Sequence, residues 1–155
     1  MATIVAIAFD NGSVGRMQIF EPSDPSDEDV QAQVDANKET WEAIGIAASG
    51  WHRCQLGDFP TEHQDMRNAW SVLDGKIIVD MDKARDITRD RLRVERAPLL
   101  AAKDIEALQA IETGDQGKLA AVAADKQQLR DATKIAEIDE AKTPDELRAI
   151  TLISE

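Results

Sequence analysis

The chain has 155 residues, 43% of them hydrophobic and 31% charged, which is a globular composition long enough for one domain or a small domain with an appendage. Aromatic residues are only 4% and Tyr is absent, so the core is thin and Ala-rich, a makeup that favours helices packed through small residues and stabilisation by association. The formal net charge of -12 argues against nucleic acid as a partner, because most of such a surface repels phosphate.

The charge is unevenly spread. Residues 1–80 hold 5 basic and 14 acidic side chains, whereas residues 81–155 hold 13 and 16. The one basic-rich stretch runs from Lys83 through Arg85, Arg89, Arg91, Arg93 and Arg96. Its interleaved Asp86, Asp90 and Glu95 lie one helical turn from arginines, which suits a solvated helix or a subunit contact better than a phosphate track. A lone Cys54 rules out an intrachain disulfide and a Cys-based zinc site, and no cofactor is expected.

In chain order, residues 3–9 form an apolar, β-rich run. It is too short for a membrane span and lacks a basic leader, so it reads as a buried strand of a protein made in a cytoplasm. Asp10-Asn11-Gly12-Ser13 is a turn signal, and Val14 to Phe20 resume as a partner strand. After the Pro22 and Pro25 break, Ser26 supplies an N-cap and Asp27, Glu28 and Asp29 complement the dipole of a helix over roughly 27–43. Gly45 and the Ala-Ala-Ser-Gly run near 47–50 end it. A third strand is expected from Trp51 to Leu56. Arg67–Val72 and Lys76–Val79 then flank Asp74-Gly75 as a second hairpin. The expected fold is α+β, with a small antiparallel N-terminal sheet and one helix in residues 1–80, all strands in one sheet.

From residue 81 the period changes. Ile87, Val94, Ala101 and Leu108 recur at intervals of seven, with Ala84 and Ile105 at companion positions, and Arg91 and Pro98 interrupt the companion line. Leu92 and Leu99 widen the apolar face. This predicts a coiled-coil-like helical arm over 81–155, with helices near 81–112, 118–133 and 143–152. Pro98 should kink or restart the first, Thr113-Gly114 should break the chain, and Thr143-Pro144-Asp145-Glu146 should cap the last. The sevens stripe suits packing on the second helix and packing in an oligomer equally.

Candidate chemistry is sparse. His52 and Cys54 lie two apart on an expected strand, but a metal needs further ligands and only distant His63 or carboxylates are at hand. Cys54 reads more simply as a small buried hydrophobe. The Asp24–Asp29 cluster lacks the central Gly and terminal Glu of a calcium loop and reads as a helix cap. Asn11-Gly12-Ser13-Val14-Gly15 lacks the Lys-Ser/Thr of a phosphate loop. Trp41, Trp51 and Trp70 are the scarce large anchors, suited to the N-terminal core or, for one of them, to an interface. The protein-interface candidates are therefore Trp70, Ile87, Val94, Leu99, Ala101, Ile105 and Leu108.

Several strings carry a resemblance. They are Arg67-Asn68-Ala69-Trp70, Gly75, Val79-Asp80-Met81-Asp82-Lys83-Ala84-Arg85 and Arg89-Asp90-Arg91-Leu92-Arg93. The pattern continues through Arg96-Ala97-Pro98-Leu99-Leu100-Ala101, Lys126-Gln127-Gln128-Leu129-Arg130-Asp131 and Ala141-Lys142-Thr143-Pro144-Asp145-Glu146-Leu147. Over roughly residues 65–150 the chain resembles bacteriophage and prophage tail-region accessory proteins, among them tail assembly chaperones and tail-fibre accessory proteins. The resemblance implies a virion-related protein, made in the bacterial host cytoplasm, that binds tail or tail-fibre subunits; the missing catalytic motifs, the seam in sevens and the net charge add the expectation of a non-enzymatic homo-oligomer with neither nucleic acid nor membrane as partner. A transient assembly chaperone absent from finished particles is the alternative, and a small metal- or cysteine-dependent enzyme a remote third. No functional residue is carried over from the family.

Overall fold

A computed structural model describes residues 2–152 and has the α+β architecture. The chain divides between Asp80 and Met81 into two compact units.

The first unit is built on strand β1 (Thr3–Phe9), which sits between β2 (Val14–Ile19) and β3 (Ala48–Cys54), antiparallel to both. A central strand buries both faces, which explains why β1 is apolar throughout rather than alternating. Val5, Ile7 and Phe9 project to one side, where they pack with Ile19 and with Val30 and Val34 of helix α1 (Asp27–Ala36). Ala6 projects to the other side and packs with Val14, Phe59, Trp70 and Ile77. The last two belong to β4 (Trp70–Leu73) and β5 (Lys76–Val79), a separate two-stranded hairpin. A helix layer and a hairpin layer therefore cover opposite faces of one small sheet.

The single sheet expected from sequence is thus two sheets. Alternation tells which residues are buried but not which surface buries them, and the second hairpin lies over the first sheet instead of extending it. Its turn is as expected: Asp74 (φ 50°) and Gly75 (φ 74°) are both left-handed, the geometry of a two-residue type I′ connection. Residues 67–69, expected in the strand, instead end a 3₁₀ stretch over Thr61–Ala69.

The Ser26 cap forms a reciprocal box. Its hydroxyl accepts from the Asp29 N–H at 3.2 Å, and the Asp29 carboxylate accepts from the Ser26 N–H at 2.8 Å. The expected helix over 27–43 is split. Asn37 donates its backbone N–H to Val34 at 3.1 Å and its side-chain amide to the Gln33 carbonyl at 2.8 Å, tightening the chain and ending α1 before α2 (Lys38–Glu42). Strand β3 starts three residues earlier than expected. Trp51 on it donates to the Gln31 side chain at 2.8 Å, and Arg53 binds Asp27 at 2.9 Å, tying β3 to α1.

The second unit is helical. Helix α3 (Met81–Thr113) and α4 (Gln116–Asp131) form a hairpin, broken at Gly114 (φ 71°) and restarted by the Asp115 carboxylate, which accepts from the Lys118 N–H at 2.9 Å. Helix α5 (Ala136–Glu140), not expected from sequence, and α6 (Pro144–Ala149) also pack on α3. Thr143 caps α6 with Pro144 at its first position, as expected. Helix α3 continues through Pro98, so of the kink or restart expected there the restart does not occur. Pro98 and Val94 are both exposed, so the Val94 carbonyl deprived of its N–H donor is free to bind water.

Candidate functional site

Helix α3 has two apolar faces with different fates. Ala84, Thr88 and Leu92 are buried at four-residue intervals, and Ala110 is buried near the helix end. The hydroxyl of Thr88 is satisfied by the Ala84 carbonyl at 2.9 Å, so this polar residue costs little inside. Two residues beyond Leu92, about 200° round the helix, stands Val94. It is 74% exposed, and Ile105 and Leu108 on the same side are 59% and 61% exposed. Ala101 is exposed as well, while Ile87 at the start of the stripe is half-buried. The stripe in sevens is therefore not the face on which α3 buries its own residues.

Leu99 parts company with the stripe. It lines a cleft of about 450 Å³ between α3 and α4, alongside Lys103, Asp125 and Leu129. Ile111, 60% exposed, extends the outer apolar surface and was missed by the sequence reading because it lies off the seven-residue period. Trp70, the remaining interface candidate, is 5% exposed and packs on Phe59 with ring centroids 5.6 Å apart. It is a core residue of the first unit.

Ion pairs and hydrogen bonds tie α3 to the helices packed on it. Arg96 donates to the Arg130 carbonyl at 2.8 Å, Lys126 bridges Asp104, and Lys103 forks between Asp125 (2.9 Å) and Glu106 (3.0 Å). Hydrogen bonds from Lys103 to these two carboxylates raise its pKa above the ordinary lysine value. On the N-terminal half, Arg85–Asp82, Arg89–Asp86 and Arg93–Asp90 pair one turn apart. Arg91, which interrupts the expected seam, instead reaches backbone carbonyls at the end of α6.

His52 and Cys54 both lie on β3, paired with Ala6 and Ile4 of β1. Burial first, and then the Asp58 carboxylate, push the Cys54 thiol above its ordinary pKa, which makes it a poor nucleophile near neutrality. The Nε2 of His52 is buried without a hydrogen-bond partner among the described residues. No group of three or more His, Cys, Asp or Glu side chains among the described residues is placed to hold a metal ion. Among the same residues, no helix is long and apolar enough to cross a membrane.

What the arrangement offers is a surface: an apolar stripe on a long helix that is packed on its other side. Comparison of the chain with family models, with curated proteins and with solved structures finds no match in any of the three.

Proposed function

We propose that the chain is a non-enzymatic assembly subunit that associates with a second copy of itself through the outer stripe of α3 and binds neighbouring subunits of a bacteriophage tail or tail fibre. The observation that carries the binding role is the exposure of Val94, Ala101, Ile105 and Leu108 on one side of a helix whose opposite side is already packed. Helices of a lone soluble domain keep one apolar face, and a second one is a place for a partner.

An antiparallel copy is favoured over a parallel one because it sets the dipoles of the two helices in opposition. The assignment to a phage tail rests on the resemblance over residues 65–150.

Mass spectrometry of purified phage particles tests the tail assignment. Stoichiometric presence is the expected result. Absence from particles, with recovery on unassembled tail proteins, would replace the virion reading with that of an assembly chaperone.

A further inference from the structure

The first unit contains a cleft of about 500 Å³ at the end of the sheet where β1 turns into β2. Phe9, Trp41, Ile44 and Trp70 supply its apolar walls, and Gln64, Asn68, Arg16 and Arg67 its polar ones. Phe9 and Trp41 meet edge to face, with centroids 5.3 Å apart and planes at 82°, so two walls brace each other. Gly15 permits that arrangement: a Cβ there would stand 2.9 Å from the Phe9 ring.

Charge singles this cleft out. The unit holds 14 acidic side chains, yet none lines the cleft, while two of its five basic side chains do. Lys38 and Arg53 are spent on Glu42 and Asp27. Among the described residues, Arg16 lies over the Phe59 ring, 6.0 Å from its centroid, and neither Arg16 nor Arg67 has a carboxylate partner. Exposed guanidinium groups without counter-ions in so acidic a unit create a local anion site. One further polar group is left over. The indole N–H of Trp70, buried in the wall, has no acceptor among the described residues, and such groups are rare in folded chains.

We propose that this cleft binds a small organic anion with a flat apolar body, its carboxylate held by Arg16 and Arg67 and its body against Trp41 and Ile44. Guanidinium groups recognise carboxylates through paired N–H donors, and the aromatic walls favour a planar group. The volume falls within the range of roughly 300–1,000 Å³ typical of small-molecule sites. This site is independent of the α3 stripe and of the assembly role.

The probe is 2-naphthoate, with the neutral 2-naphthalenemethanol as its comparator. Each is titrated into the full chain while the three tryptophan indole N–H signals are followed by NMR, assigned through Trp41→Phe and Trp51→Phe. Saturable shifts at Trp41 and Trp70 but not Trp51 are expected, with the neutral compound binding about tenfold more weakly. Arg67→Gln and Arg16→Gln should each weaken naphthoate several-fold and leave the neutral compound unchanged. Both side chains are exposed, so the fold should survive, and either variant alone suffices. Absence of saturable shifts, equal binding of the neutral compound, or unchanged naphthoate affinity in both variants would overturn the proposal.

Discussion

Arg91 donates to the carbonyl of Ile150 at 2.7 Å, and the same guanidinium reaches the Leu147 carbonyl at 3.2 Å. The last carbonyls of a helix have no partner within it, and here an arginine from α3 supplies one. A residue that spoils a heptad pattern is thus the clasp that holds α6. Replacing it with Met keeps the aliphatic stem and removes the donors. Arg91→Met should cost about 1.5–3 kcal/mol, the range for bonds with a charged partner, in urea denaturation. Hydrogen exchange should quicken in α6 before it does in α4. Lysine should restore only part of the loss, since an ammonium group lacks the fork that spans two carbonyls.

The two faces of α3 should respond oppositely to substitution. Leu92 is fully buried, so Leu92→Ala should destabilise the chain by about 2–5 kcal/mol. Val94→Gln, two residues away, should change stability of the dilute chain by less than about 0.5 kcal/mol. Paired denaturation curves at low protein concentration decide it. Comparable losses would mean that Val94 is packed within the chain.

The cap of α1 has a pH signature. The Ser26 hydroxyl, and then its backbone N–H, bind the Asp29 carboxylate and hold its pKa below the usual aspartate value. A carboxyl lowered in the folded state stabilises the fold above its unfolded pKa, and that contribution is lost as pH falls through the folded value. Ser26→Ala should raise the Asp29 pKa towards the ordinary value in a carboxyl-carbon NMR titration, and should remove this part of the acid sensitivity. The effect should shrink in high salt, because the site is open to solvent.

Cys54 should alkylate slowly at neutral pH. Its thiol is raised by burial first and by Asp58 second. Asp58→Asn keeps the acceptor for the Gln55 N–H, now bonded at 2.7 Å, and removes the charge. The pH midpoint of iodoacetamide labelling should fall, yet stay above that of an unstructured cysteine. An unchanged midpoint would assign the whole shift to burial.

Local signals in this chain were legible and packing partners were not. The Ser26 and Thr143 caps, the Asp74-Gly75 turn and the continuous apolar run of β1 each depend on neighbours within a few residues, so the sequence displays them directly. The placement of the second hairpin over the sheet depends on Ala6 meeting Trp70 and Ile77, contacts more than sixty residues apart. The Asn37 break turns on a side chain choosing the Gln33 carbonyl, which propensity does not reveal. On α3 the seven-residue stripe was visible, but the side on which the helix buries itself was not. Leu92 and Val94 are both apolar, and only the packed structure separates them. The anion cleft left no sequence signal, since Arg16, Trp41 and Arg67 are brought together by three different elements.

Sedimentation velocity at two protein concentrations about a hundredfold apart tests the central claim, that the outer stripe of α3 joins two copies. The wild-type chain should move from the 17.0 kDa monomer at the low concentration towards twice that mass at the high one. The Val94→Lys, Leu108→Lys double variant should stay monomeric at both with unchanged circular dichroism. A wild-type chain that remains monomeric throughout, or a double variant that still dimerises, would contradict the account.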